Sequence, residues 1–169
     1  MKLNLGCGDK RKPGFLGVDQ YRAGGVDVLA DVTRLPFADS SVDAFHLDNV
    51  IEHIPDMVGL VRELVRTGRP GAAIEVITPH FTAWASWRDP THVHHLSYFS
   101  MDHFAHKWVA DFAGARVRVA SRRLSFGGGL MGLTGRLLFW LSPRQYEKKY
   151  CFIFRASTLC FRLEVVKQQ

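Results

Sequence analysis

The sequence predicts an α/β fold, and three stretches predict it. Leu3-Asn4-Leu5 is a short apolar run that ends in Gly6-Cys7-Gly8, and Phe15-Leu16-Gly17-Val18 is a second run that ends in Asp19. Both read as short buried strands whose C-terminal ends carry polar chemistry. Met57, Leu60, Val61, Leu64 and Val65 recur at helical spacing, marking one face of a helix from about Asp56 to Thr67 that Gly68 and Pro70 close. With 169 residues and 47% hydrophobic content, the chain is long enough for one substantial core and short of two. Residues 1–169 are therefore expected to form one domain.

Strands are expected at Lys2–Leu5 and Phe15–Asp19, with only about nine residues between them. Parallel strands normally need a crossover of about a dozen residues or more, so no full helix fits there. Val26–Ala30 predicts a third strand and Val42–Leu47 a fourth, followed by a polar stretch from Asp48 to Pro55. Ala73–Thr78 reads as a fifth, buried strand. The His- and Trp-rich segment Pro79–Phe99 is expected to lie over a site as a covering loop. Ser100 caps a predicted helix with Asp102 in its first turn and Phe104, Trp108, Val109 and Phe112 on one side. Arg116–Val119 alternates as a strand. An apolar helix over Leu130–Leu141 follows Gly127-Gly128-Gly129 and is expected to fold over the sheet. Alternation of Leu159, Phe161, Leu163 and Val165 marks the last strand.

The two opening stretches form a ligand cradle. Gly6 and Gly8 let the backbone turn and approach a ligand, and Asp19 offers acceptors to vicinal hydroxyls such as those of a ribose. A dinucleotide fingerprint needs a glycine where Arg11 stands, and no Gly-Lys-Ser/Thr follows as a P-loop requires. An adenosine cofactor without phosphates remains, with S-adenosylmethionine (SAM) the obvious one. Cys7, Cys151 and Cys160 have neither metal nor redox spacing, which favours a reducing, cytoplasmic setting. The net charge of +6 fits an acidic partner without choosing among phosphorylated substrates, nucleic acids and anionic membranes.

Taken together, Leu3–Gly8, Gly17-Val18-Asp19, Ala30–Phe37 and Val42–Phe45 running to Glu52-His53 resemble the class I SAM-dependent methyltransferases, most nearly the small ones of the methyltransferase type 11 group. The resemblance implies a Rossmann-like sheet of order 3-2-1-4-5-7-6 with the last strand antiparallel, here with an abbreviated first crossover and no helices before the first strand. It also implies that Leu5, Gly6, Cys7 and Gly8 run beneath the cofactor and that Asp19 and Gln20 meet its ribose. Asp31 and Val32 would meet the adenine, and Asn49 would sit near the methionine moiety.

The implied activity is methyl transfer from SAM to an oxygen or nitrogen of a small or carbohydrate-type acceptor. In the covering loop, His92, His95 and Asp89 are the candidate catalytic residues, an imidazole taking the acceptor's proton with Asp89 orienting it. Trp84 and Trp87 are candidates for a sugar-stacking wall. His80, His92, His94 and His95 lack zincin-like spacing, so no metal is expected. A SAM-binding module without chemistry is one rival reading. A nucleic-acid methyltransferase is the other, disfavoured because no Asn/Asp-Pro-Pro-Tyr/Phe element follows the fourth strand. The apolar helix at 130–141 and the cations up to Lys149 are candidates for peripheral contact with a membrane or a protein.

Overall fold

The computed structural model describes residues 1–108, 112 and 114–167. One seven-stranded sheet organises them in the order β3-β2-β1-β4-β5-β7-β6. Its strands are β1 (Lys2–Leu5), β2 (Leu16–Asp19), β3 (Val28–Leu29), β4 (Val42–Asp48), β5 (Gly68–Pro79), β6 (Arg116–Phe126) and β7 (Ala156–Val166). β1 pairs in parallel with β2 and β4, bringing Leu5 level with both Val18 and Leu47. β7 runs antiparallel to both neighbours. Leu3, Leu5, Val18, Phe45, Leu47, Ile74 and Phe161 are buried along these strands and form the spine of the core.

The first crossover is a loop, as its length demands. Gly25 N–H donates to Gly8 O at 3.0 Å, and Asp27 Oδ2 accepts from Gly17 N–H at 2.8 Å. Asn4 Nδ2 donates to Lys10 O at 2.9 Å. Glycine permits this contact: a Cβ on Gly17 would lie 1.9 Å from Gly25 O, and one on Gly25 would lie 2.6 Å from Gly8 O. The loops after β1 and β2 thus press backbone against backbone where a crossover helix would otherwise pack.

Helix α1 (Met57–Thr67) forms where the periodicity places it, with the Asp56 carboxylate accepting from Gly59 N–H as its N-cap. Its stripe of Leu60, Val61, Leu64 and Val65 is buried, each side chain contributing about 1.5–3 kcal/mol. Gly68 caps the helix and also opens β5, so that strand starts five residues before the apolar run suggests. The covering segment contains a short helix, α2 (Trp84–Arg88). Ser100–Ala105 is a 3₁₀ turn in place of the start of an α-helix. The expected continuation of that helix includes Val109, which lies outside the described residues.

Helix α3 (Gly129–Leu141) corrects the expectation that it folds its apolar side over the sheet. Its buried positions are Gly132 and Gly135, with Leu138 and Phe139 half-buried beside them. Gly135 sits against Phe126 and Phe154, and a Cβ on Gly132 would lie 1.8 Å from Gly127 O. The small face packs together with Phe139, so Leu130, Leu133, Leu137, Trp140 and Leu141 point outward. No helix among the described residues is long and apolar enough to cross a membrane.

Candidate functional site

The C-terminal ends of β1, β2 and β4 converge on one cavity of about 430 Å³, lined by Gly6, Asp19, Gln20, Tyr21, Ala30, Asp31, Val32, Asn49, Val50, His53, Ile54 and Thr91. Its position at the edge where strand order reverses is where open α/β sheets bind ligands. Gly6 turns at φ +60°, and a Cβ there would come within 2.5 Å of Val50. Only glycine leaves both the turn and this wall intact.

Asp19 ends β2 with a carboxylate already held in place. Its Oδ2 accepts from Gly8 N–H at 2.9 Å and its Oδ1 from Tyr21 N–H at 3.0 Å. Each carboxylate oxygen retains acceptor capacity for a ligand hydroxyl. Asp31 accepts from the Thr33 N–H and hydroxyl, bonds that hold its carboxyl below the usual carboxylate range. It is therefore an anionic acceptor at neutral pH. Asn49 follows β4 in the left-handed region at φ +55°, a conformation uncommon outside glycine and concentrated at functional sites.

The residues expected to hold the cofactor are not equally placed. Gly6, Asp19, Gln20, Asp31, Val32 and Asn49 line the cavity; Leu5, Cys7 and Gly8 do not. Leu5 is fully buried behind it. Cys7 turns its thiol toward Gly25 O, and burial followed by the charge of Asp19 pushes that thiol up from its usual range. Gly8 acts through its N–H on Asp19. The chemistry and shape of the wall fit SAM: the Asp19 carboxyl oxygens as acceptors for a ribose diol, the anionic Asp31 beside buried Val32 for an adenine amino group, and a glycine floor that a Cβ would fill.

The covering segment reaches this cavity through backbone bonds. Glu52 O accepts from Val93 N–H at 2.9 Å and from His94 N–H at 3.1 Å, tying the loop to the turn after β4. The result places His53 and Thr91 on the cavity wall, and neither His92 nor His95. His92 turns inward, its Nδ1–H donating to Ser86 O at 3.0 Å and its ring meeting that of His53 at 4.6 Å. His95 stacks on Trp87 at 3.7 Å and bonds Ser86 Oγ through Nδ1 at 2.8 Å. Asp89 meets two imidazoles, its Oδ2 lying 3.9 Å from His92 Nε2 and its Oδ1 linked to His53 through Thr91.

The proton positions in that relay follow from its chemistry. Thr91 bonds hold the Asp89 carboxyl below its usual range, so it only accepts, and Thr91 Oγ1–H donates to it at 2.6 Å. Thr91 Oγ1 then accepts from His53 Nδ1–H at 2.9 Å. In the neutral ring that bond leaves His53 Nε2 as the accepting nitrogen. Beneath lies Glu52, 1% exposed, whose Oε2 accepts from Thr78 at 3.0 Å while Oε1 has no hydrogen-bond partner. Desolvation pushes its carboxyl above the usual range. Among the described residues, Glu52, His53 and His92 are the three that could each offer a ligand atom to a metal, all within 4.8 Å of one another.

The sheet order and its antiparallel β7 are those of the class I SAM-dependent methyltransferase fold. Residues 11–76 match the Methyltransferase domain family. The segment is also similar to an uncharacterized methyltransferase of Mycobacterium sp. (strain JLS), 48% identical over 63 residues that make up 37% of this chain and 24% of that protein. The chain thus matches about a quarter of the length of that curated relative. Across 96% of its length it superposes on a SAM-dependent methyltransferase from Archaeoglobus fulgidus, covering 85% of that chain with a TM-score of 0.63 at 17% identity. The [4+2]-cyclase SpnF is as close in shape, with a TM-score of 0.63 at 14% identity over 99% of this chain and 74% of that one.

Asp19 offers the most direct test of whether this cavity binds the cofactor. Asp19→Ala removes charge-assisted bonds worth roughly 1.5–3 kcal/mol and is expected to weaken S-adenosylhomocysteine binding at least tenfold by calorimetry. Asp19→Asn, which keeps one acceptor for Gly8 N–H, should lie between that variant and the parent.

Proposed function

We propose that the chain transfers a methyl group from SAM to an oxygen or nitrogen of a small or carbohydrate-type acceptor, with His53 as the proton-accepting group. One observation carries the reading: the cavity that collects Gly6, Asp19, Asp31 and Asn49 also has an imidazole on its wall whose Nδ1 is committed and whose Nε2 is available. SAM, when bound, supplies an already activated methyl group. The chain's own task is alignment of the acceptor and removal of its proton.

Asp19 and Asp31 anchor the adenosine end, so the Asn49 and His53 end is left to the acceptor. His53 Nε2 accepts the acceptor's proton, and the imidazolium formed is stabilised by the buried Glu52 carboxyl and by the Asp89–Thr91 relay. A second cleft, of about 560 Å³, shares Asn49 with the cofactor cavity and is lined by Pro79, Thr82, Trp84, Gly127, Arg155 and Thr158. The exposed Trp84 offers a face for a sugar ring and Arg155 a cation for an anionic substituent. The shape shared with SpnF keeps the binding-without-methylation alternative specific: that reading requires cofactor binding with no acceptor methylated.

The test separates the imidazoles. His53→Ala is expected to lower turnover about a hundredfold or more while leaving S-adenosylhomocysteine affinity within about threefold. His95→Ala should turn over like the parent. Turnover that survives dialysis against a chelator supports a proton-accepting role for His53. Turnover lost on chelation and restored by a divalent cation would make Glu52, His53 and His92 metal ligands instead.

A further inference from the structure

Helix α3 packs through Gly135 and Phe139, and Phe152 meets only the edge of Phe81 among the described rings, so most of the large side chains here stay in the open. Leu130, Leu133, Leu137, Trp140, Leu141 and Phe152 are each more than half exposed. An apolar patch of this kind on a small protein marks an interaction site. Gly132, Gly135, Leu138 and Phe139 dock the helix, and apart from Thr134 and Arg136 its remaining side chains are mostly large, apolar and exposed, so their burial requires something outside the chain.

Charge identifies the occupant. Arg136, Arg144, Lys148, Lys149 and Arg155 are exposed around the patch. From residue 112 to residue 163 the only acidic side chain is Glu147. Glu147 turns away from the surface, accepting from Tyr98 N–H at 2.6 Å and bonding His80 Nε2 at 3.1 Å. Within this stretch the surface is therefore apolar and cationic, its one acid engaged inward. A second copy would set cations against cations, whereas the head groups of an anionic bilayer complement them and its acyl region takes the aromatic and aliphatic side chains.

We propose that α3 and the 150–153 turn dock this protein on an anionic membrane surface, and that its acceptor is an amphiphile presented there. The second clause rests on the methyl-transfer reading above. It follows from continuity: the 560 Å³ cleft that meets the cofactor cavity at Asn49 is bounded on its other side by Gly127 and Arg155, where α3 and the 150–153 turn begin and end. A polar head group entering that cleft leaves its apolar tail beside Leu130 and Phe152. The acceptor class is thus a lipid-linked polar group, anionic where it meets Arg155.

Flotation with vesicles of phosphatidylcholine alone and with 30% phosphatidylglycerol, roughly in the range of anionic membranes, tests the docking. The expected result is co-flotation with the anionic vesicles, weaker at physiological than at low salt, and little with the neutral ones. Leu137→Glu combined with Trp140→Glu, both at exposed positions, should abolish flotation while S-adenosylhomocysteine binding stays within twofold. That binding reports on the methyltransferase reading separately. No flotation at either salt, flotation unchanged in the double variant, or light scattering that shows a dimer lost in that variant would each overturn the proposal.

Discussion

Backbone pressed on backbone between Gly8, Gly17 and Gly25 is the constraint from which the site follows. β1 and β2 are parallel, yet only a loop joins them. Hydrogen bonds from the returning loop take the place of the packing that a crossover helix supplies elsewhere. That exchange works only at a separation that a Cβ on Gly17 or Gly25 would prevent. Because the loops are closed this way, β2 ends with Asp19 directly beneath the Gly8 N–H, and the carboxylate is oriented before any ligand arrives. An acceptor held in place costs less to engage than one that has to be ordered on binding.

The covering segment solves a different problem, bringing chemistry from sequence-distant residues to that oriented end. The bonds from Val93 and His94 to Glu52 O fix the loop on the turn after β4, and Thr91 then passes the charge of Asp89 to His53. Glu52 is the unusual member of this group. A buried carboxyl with one unpartnered oxygen is costly unless it interacts with something that changes charge. Two imidazoles, of His53 and His92, offer nitrogen atoms within 4.8 Å of it. Its displacement above the usual carboxylate range is the electrostatic sign of the same burial.

Much of the sheet could be read from the sequence because period and punctuation agree there. Leu3–Leu5 and Leu16–Val18 are apolar runs ended by polar or glycine residues, and the α1 stripe has one unambiguous period. The cavity wall was legible to the same extent: Gly6, Asp19, Gln20, Asp31, Val32 and Asn49 sit at strand ends, where position along the chain predicts position in space. Leu5, Cys7 and Gly8 sit there too, yet act from behind the wall, because side-chain direction after a glycine turn is not encoded by strand period. Which of His53 and His92 reaches the cavity was illegible for a stronger reason. It depends on bonds between residues about forty apart, and nothing local distinguishes the two imidazoles. For α3, a helix apolar all round has no preferred face, so only the small-residue stripe at Gly132 and Gly135 reveals which side packs.

The central claim is that the cavity at the ends of β1, β2 and β4 is a SAM site whose far end meets the acceptor. A crystal structure with S-adenosylhomocysteine tests it most directly. The account predicts the ribose diol on the Asp19 carboxylate, the adenine between Asp31 and Val32, and the thioether sulfur facing Asn49 and His53. Density for the ligand elsewhere, or a cavity left unfilled at saturating S-adenosylhomocysteine, would contradict it.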